Sequence, residues 1–411
     1  MGIRDSIPPD VIICKDELKH DEVTGFVKEN GYEKTPLILN VEGKKVAMNF
    51  ISTREMLCNY LGVKKEELAA YLASIGYDGP IRIREAKLKK RNWSLYNLPI
   101  LKYYPKDGGR YITAGVVIAR WGRVEDANSY NACIHRMMLI DKNKLVARLV
   151  KPRHTYLLWK KAIERGEDLP IAIAIGVHPL FLFAAATRVP EGKEFGYAAS
   201  LMKGLDMNII EDMLVPEAEI VLIGRITKEL ADEGPFVDIT ATYDIVRKQP
   251  VIEIDSIYAM DDPIYYSITP ASSEHQVLMG IPYEAEIYKS VSKVCNVKNV
   301  AMSPGGLHYF HAVVQIEKHS EGDGKNAILA AFAAHHSLKH VVVVDEDIDI
   351  YSSEDVEYAI ATRFQADKDL VIIPNARGSS LDPSSNNGLT AKWGIDATKE
   401  LSRRENFERV V

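Results

Sequence analysis

Two short stretches of this chain carry the residue types that acid–base and anion chemistry need. The first runs from Asn128 to His154 (NSYNACIHRMMLIDKNKLVARLVKPRH). Asn131 offers an amide oxygen and His154 an imidazole, a donor pair for a divalent cation. Arg136, Arg148 and Arg153 add positive charge suited to phosphate or carboxylate. The second stretch is Glu233-Gly234-Pro235-Phe236-Val237-Asp238. Its two carboxylates flank a Gly-Pro turn and can both address one arginine. One acid would then stay ionised while the other exchanges a proton. Each stretch also has a structural reading: lone arginines are commonly surface residues, lone histidines satisfied polar groups, and acids at a hairpin entry solvated.

Three further patterns compete for attention. Gly322-Asp323-Gly324-Lys325-Asn326-Ala327 fits GxGxxA between a strand and a helix, and Asp345 ends the next strand, as a dinucleotide site would require. This supports a nicotinamide-dependent oxidoreductase as an alternative function. The run Asp345-Glu346-Asp347-Ile348-Asp349 can hold Mg²⁺ or lie solvated at a strand end. His335 and His336 are adjacent, so they point about 100° apart on a helix and make a poor metal pair. GxSxG and HExxH are both missing, which removes two common hydrolase classes.

The elements that must position these residues differ along the chain. Thr35 to Val41 and Lys45 to Met48 read as strands around Glu42-Gly43, with Ser52 and Glu55 at capping-box spacing before a helix. Lys64 to Ile75 reads as a second helix. The middle is strand-rich: Ile112 to Ala119, Leu145 to Val150, Ile171 to Ile175, Glu219 to Ile223, Val237 to Tyr243 and Val251 to Tyr258. Helices interrupt it at Tyr156 to Arg165 and Phe195 to Lys203. Many strands with few helices suggest a barrel-like or split sheet. The last third reads as strand, helix, strand, helix, strand, ending on Leu370 to Ile373, which predicts a parallel sheet.

Composition bounds the rest. A chain of 411 residues exceeds one ordinary core, so two or three domains are expected. A net charge of -6 argues against a nucleic-acid binder. Cys14, Cys58, Cys133 and Cys295 lie far apart without CxxC spacing, which fits a reducing cytoplasm rather than a disulfide framework. Met1 to Asp10 has no apolar core, so no signal peptide is expected there. The apolar stretch around Gly176 to Thr187 is too short to span a bilayer, and no membrane role is expected.

Taken in order, several motifs resemble the UbiD family of reversible decarboxylases. They are Tyr104-Pro105 to Gly115 (YPKDGGRYITAG), Asn131-x4-Arg136, Lys142-Asn143-Lys144-Leu145, Arg153-His154, Glu194 before a helix, EGPFxD, and Ala391 to Thr398 (AKWGIDAT). The resemblance covers roughly residues 95 to 400. It implies a mixed α+β and α/β multidomain fold: an N-terminal α/β domain over 1–95, a split β-barrel domain binding prenylated FMN over 96–290, and a C-terminal α/β domain over 291–411 that mediates oligomerisation. A homo-oligomer, dimer or hexamer, is implied. So is a separate flavin prenyltransferase that supplies the cofactor.

Position by position, the resemblance makes Asn131, His154 and Glu194 ligands of Mn²⁺ or Mg²⁺, with K⁺ close by. Glu191 is the alternative carboxylate, because the spacing from Glu194 to Gly204 is one residue longer than in the family. Ile134, His135, Arg136, Arg148, Leu149, Val150, Arg153, His154 and Lys392 would contact the cofactor. Arg136 would hold the substrate carboxylate, Glu233 would orient Arg136, and Asp238 would supply the proton that replaces carbon dioxide. Val237 stands where the family commonly has Gly. The short chain is most like compact archaeal members, one group of which converts trans-anhydromevalonate 5-phosphate to isopentenyl phosphate. An aromatic or acrylic acid substrate stays open beside it, as does a non-catalytic flavin-binding or assembly role.

Overall fold

One strand pair organises the first half of the molecule. Ile220–Glu233 and Arg247–Ala259 run antiparallel from Ile220 opposite Ala259 to Glu233 opposite Arg247. Both are rich in Ile and Val, which fit a pleated surface buried on its faces. The computed structural model describes residues 2–410, which divide into two units. One comprises the chain up to Leu61 with Ile75–His275; the other comprises Gly62–Ser74 and the chain from Gln276 onward.

In the first unit the long pair sits mid-sheet. The strand order is Tyr111–Ile112, Met137–Asp141, Lys144–Ala147, Arg247–Ala259, Ile220–Glu233, Leu169–Ile175, Val116–Arg120, Tyr130–Ile134, with Lys89–Arg91 pairing alongside Arg247–Ala259. Tyr130–Ile134 lies at one end of that order and Met137–Asp141 near the other, yet only His135 and Arg136 join them. Two residues bridge at most about 10 Å. The sheet must therefore curl until its edges nearly meet, and Arg136 sits in the split. Ile171, Ile173, Ile220, Leu222, Ile252 and Val117 are buried in the core that this curl encloses.

Local expectations are met at most of these elements. Leu37–Val41 and Lys44–Met48 form a hairpin whose turn residues Glu42 and Gly43 both have positive φ, the two-residue turn that matches strand twist. The cap before the helix Arg54–Leu61 is Thr53 rather than Ser52. Thr53 Oγ1 accepts from Met56 N–H at 3.2 Å, whereas the Ser52 hydroxyl donates to Lys34 and Asn49 carbonyls. The expected strand Val237 to Tyr243 is instead a hairpin. Phe236–Val237 pairs with Tyr243–Asp244, and Asp238 to Thr242 forms the turn. Ala241 has φ of 56° there, which breaks the extended run that the alternating residues suggest.

The YPKDGGRYITAG segment braces this hairpin. Gly108 N–H donates to Pro235 O at 2.8 Å, and an added Cβ on Gly108 would lie 2.1 Å from Gly234 O. Only glycine lets the two backbones approach so closely.

The second unit holds a five-stranded sheet ordered Asn296–Met302, His311–Glu317, His340–Asp345, Leu389–Ala397, Leu370–Arg377. His311–Glu317, His340–Asp345 and Leu389–Ala397 are parallel. The third parallel strand is thus Leu389–Ala397. Leu370–Arg377 is an antiparallel edge, because the chain after it turns back on itself to pair with Leu389–Ala397. Helices Asp323–Ala334 and Ser353–Arg363 contribute Ala327, Ile328, Ala331, Val356 and Ala359 to the unit's cores.

Gly108→Ala is expected to lower the melting temperature by several degrees, because its Cβ meets rigid backbone. Gly109→Ala, whose Cβ meets the flexible Met138 side chain at 3.2 Å, should change it far less in the same thermal scan.

Candidate active site

The split in the sheet holds a dense ionic cluster. Arg136 Nε and Nη2 donate to the two oxygens of Glu233, each at 2.9 Å. Nη1 donates to Asp238 Oδ2 at 3.0 Å and Nη2 also to Asp244 Oδ2 at 2.9 Å. Four N–H bonds are therefore used, and among the described residues one Nη1–H beside Asp238 is left. The Arg136 and Glu233 side chains are 10% and 0% exposed, so this is a buried fork-to-fork pair. Burial alone would lower the guanidinium pKa, but the Glu233 hydrogen bonds and the three carboxylates raise it overall. Tyr111 Oη donates to Glu233 Oε1 at 3.3 Å, and the Phe236 ring lies 4.9 Å from the guanidinium. The structure thus brings Arg136, Glu233 and Asp238 together. It adds Asp244, which the sequence reading missed because that residue was placed beyond a strand instead of on the returning arm of a hairpin.

Asp238 sits in the hairpin turn. Its Oδ1 accepts from Ile239 N–H at 2.7 Å and its backbone N–H donates to Thr242 O at 3.0 Å. His275 is half-buried nearby. Burial lowers its pKa, while Asp238 raises it and Arg136 lowers it.

A second cluster lies at two helix starts. His154 opens the helix His154–Glu164 and Glu194 opens Glu194–Leu201. His154 Nδ1 lies 3.2 Å from Glu194 Oε1. Burial pushes the Glu194 carboxyl up to about 8, and burial also lowers the imidazole of His154. Both groups are thereby driven toward their neutral forms. Glu194 Oε2 is buried with no hydrogen-bond partner, a cost that a bound cation would remove. Glu191 is exposed, so the buried carboxylate is Glu194. Asn131 Nδ2 donates to Thr155 Oγ1 at 3.0 Å and approaches Cys133 Sγ at 3.3 Å, which leaves its Oδ1 for a cation. Among the described residues no three of His, Cys, Asp and Glu form a metal group, so the amide is needed to complete this set. An amide oxygen, an imidazole and a carboxylate suit a hard or borderline divalent ion.

The remaining candidates fall on segments between these clusters. Ile134 ends its strand. His135 Nδ1 lies 3.1 Å from Arg148 O, and its Nε2 lies 3.0 Å from Thr155 Oγ1. Arg148 N–H donates to Arg136 O at 3.1 Å and Leu149 N–H to Gln249 Oε1 at 2.9 Å. Val150 is exposed, and Arg153 is the N-cap residue before His154. Lys392 belongs to the other unit. There its ammonium donates to His336 O at 2.7 Å and Leu338 O at 2.5 Å, and burial lowers its pKa to about 8.

The dinucleotide pattern has a structural explanation. Gly324 lies inside the helix Asp323–Ala334, where an added Cβ would meet the Asp396 carboxylate at 2.1 Å. Asp323 Oδ2 accepts from His319 and Ser320 N–H. Asp345 accepts from Arg363 Nη1 at 2.9 Å and from Lys399 N–H at 2.7 Å, so it is engaged within the unit. Asp347 likewise pairs with Arg363 and Lys399.

The chain belongs to the UbiD family of carboxy-lyases. Residues 78–273 match the 3-octaprenyl-4-hydroxybenzoate carboxy-lyase Rift-related domain, and residues 276–397 match the C-terminal domain of the same enzymes. The chain is 59% identical to the anhydromevalonate phosphate decarboxylase of Archaeoglobus fulgidus over 100% of its own length and 96% of the relative's. It is 53% identical to that of Methanosarcina mazei, over 92% of this chain and 90% of the relative. Among solved structures it is similar to the UbiD-class enzyme HmfF from Pelotomaculum thermopropionicum in complex with FMN. That match has a TM-score of 0.93 and 34% identity, over 100% of this chain and 97% of the other. An evolved dimeric form of HmfF in complex with prenylated FMN matches with a TM-score of 0.88 and 32% identity, over 100% and 96% of the two chains.

Two outcomes are expected. Glu233→Ala leaves a buried guanidinium with half its fork empty, and should destabilise the protein by about 3 kcal/mol in denaturant unfolding. The second concerns pH. In metal-free protein Glu194 holds its proton up to about pH 8, against an ordinary value of 4.5. Its contribution to stability is therefore full at low pH and lost as pH rises through 8. Chelator-treated protein should lose stability over that range, Glu194→Gln should flatten the loss, and Glu191→Gln should not.

Proposed function

We propose that this chain removes carbon dioxide from trans-anhydromevalonate 5-phosphate to give isopentenyl phosphate, with prenylated FMN and a divalent metal. The observation that carries the reading is Arg136 held between Glu233 and Asp238. The extent and level of identity to two archaeal anhydromevalonate phosphate decarboxylases support the substrate. An aromatic acid substrate is the second reading, supported by a gallate decarboxylase that is 31% identical over 74% of this chain.

In this proposal Asn131, His154 and Glu194 would hold Mn²⁺ or Mg²⁺, with K⁺ as a further cation, and the divalent ion would supply positive charge for the anionic cofactor. Ile134, His135, Arg136, Arg148, Leu149, Val150 and Arg153 would line the cofactor. When bound, prenylated FMN supplies the electron sink for the electrons that decarboxylation leaves on carbon.

The chain's own residues do the rest. Arg136 keeps one Nη1–H next to Asp238, and the substrate carboxylate takes it. Glu233 occupies the other side of the guanidinium and fixes its plane, so the carboxylate is aligned before the carbon–carbon bond breaks. The incoming carboxylate lies beside Asp238. Once carbon dioxide leaves, Asp238 in its acid form gives a proton to the carbon that lost it. A flavin prenyltransferase supplies the cofactor, and the enzyme works as a homo-oligomer. The four unbridged cysteines fit a reducing cytoplasm, and no helix among the described residues is long and apolar enough to cross a membrane.

Co-expressed with a flavin prenyltransferase, the protein should purify with modified-flavin absorbance and release carbon dioxide from anhydromevalonate phosphate. Faster turnover of cinnamate-like or hydroxybenzoate-like acids would remove the isoprenoid assignment. Asp238→Asn should lower kcat by a factor on the order of 10³ while flavin content stays constant, the size of effect expected for a lost general acid.

A further inference from the structure

Three arginines converge on one carboxylate oxygen at the edge of the site. Asp244 Oδ2 lies 2.5 Å from Arg247 Nη1, 2.9 Å from Arg136 Nη2 and 3.9 Å from Arg148 Nε. The placement follows from three backbone features. The ladder sets Arg247 opposite Glu233. Arg148 N–H is bonded to Arg136 O, and Leu149 N–H to the buried Gln249 two residues beyond Arg247. The hairpin returns Asp244 opposite Phe236.

These arginines are not equally engaged. Arg136 gives four of its five N–H groups to Glu233, Asp238 and Asp244. Among the described residues Arg148 has only the long Asp244 contact and a 3.5 Å bond to Leu149 O, although its side chain is just 19% exposed. Burial lowers its pKa, and the like charges of Arg247 and Arg136 lower it further. A half-buried guanidinium so poorly paired within the chain suits an anion, and at the edge of the cofactor that Arg148 lines, that anion is the substrate's. Asp244 offers one negative charge to three cations, whereas a phosphate offers two and can meet separate forks with separate oxygens.

We propose that Arg148 and Arg247 bind the phosphate group of the substrate, and that Asp244 holds them in place until the phosphate displaces it. The proposal rests on the phosphorylated substrate assigned above. It separates the two ends of that substrate: the carboxylate goes to Arg136 beside Asp238, and the phosphate goes to the neighbouring pair. Tyr243, Ile245 and Val246 around Asp244 are exposed, so its segment can shift without disturbing the core.

Inorganic phosphate, titrated calorimetrically into the flavin-loaded protein, tests this without turnover. Arg247→Gln should weaken phosphate binding at least tenfold, the weight of one charge-assisted contact. Asp244→Asn should tighten it several-fold, because the competing carboxylate is gone. A merely structural ion pair predicts no such opposition in sign. With anhydromevalonate phosphate, Arg247→Gln should raise KM on the order of 30-fold with a smaller change in kcat, at unchanged flavin absorbance. Should Arg247→Gln fail to fold, Arg247→Lys keeps the charge without the fork and should weaken phosphate to an intermediate degree. Equal phosphate affinity in all variants would overturn the proposal. So would flavin loss in step with phosphate loss, since the pair would then serve the cofactor. If phosphate binding follows the expected order but anhydromevalonate phosphate is not turned over, the anion site stands and the substrate assignment falls.

Discussion

A guanidinium buried in the split of a curled sheet must be answered by carboxylates or it will not stay there. Arg136 is that group, and much of the first unit is arranged to answer it. Glu233 meets it face to face from the end of the longest ladder. Asp238 and Asp244 meet it from a hairpin whose strands are two residues each. Gly108 lets a separate segment press against the base of that hairpin. Moving Glu233 by an ångström would leave a charge stranded at several kcal/mol. The cluster is therefore a structural joint and a chemical device in one.

The metal-ligand candidates follow a different logic. Glu194 and His154 are each pushed toward neutrality by burial, and one oxygen of Glu194 has no partner. Such an arrangement costs stability in the bare chain and repays it on binding a cation, since ligand binding and folding draw on one free energy. The two clusters are thus complementary: one is satisfied by the protein itself and the other is left incomplete.

How much of this was legible beforehand depended on the kind of information each residue carries. Arg136, Glu233 and Asp238 could be named because their types and spacing are uncommon together and occur in the family's order. The curled sheet was legible as a strand-rich middle. Asp244 was not, since the alternating Thr and apolar residues from Val237 onward read as a continued strand; the turn is made by backbone conformation at Ala241. Arg247 looked like an ordinary basic residue, and only the register opposite Glu233 brings it to the site. In the second unit Ala391 to Thr398 was noticed as a motif rather than as part of the strand Leu389–Ala397, which misassigned the third parallel position. The Gly-x-Gly pattern misled for the opposite reason: its second glycine answers a packing constraint against Asp396.

The order of strands across the large sheet has a consequence for how the chain is made. Arg247–Ala259 lies between Lys144–Ala147 and Ile220–Glu233, yet among the paired strands of that sheet it comes last from the ribosome. Until it emerges, the sheet exists as two separate pieces, each presenting a bare hydrogen-bonding edge where the centre will be. Bare edges of this kind invite pairing with other chains. Synthesis of this half is therefore hazardous until its final strand is inserted, and any fragment ending before Arg247 keeps both open edges permanently.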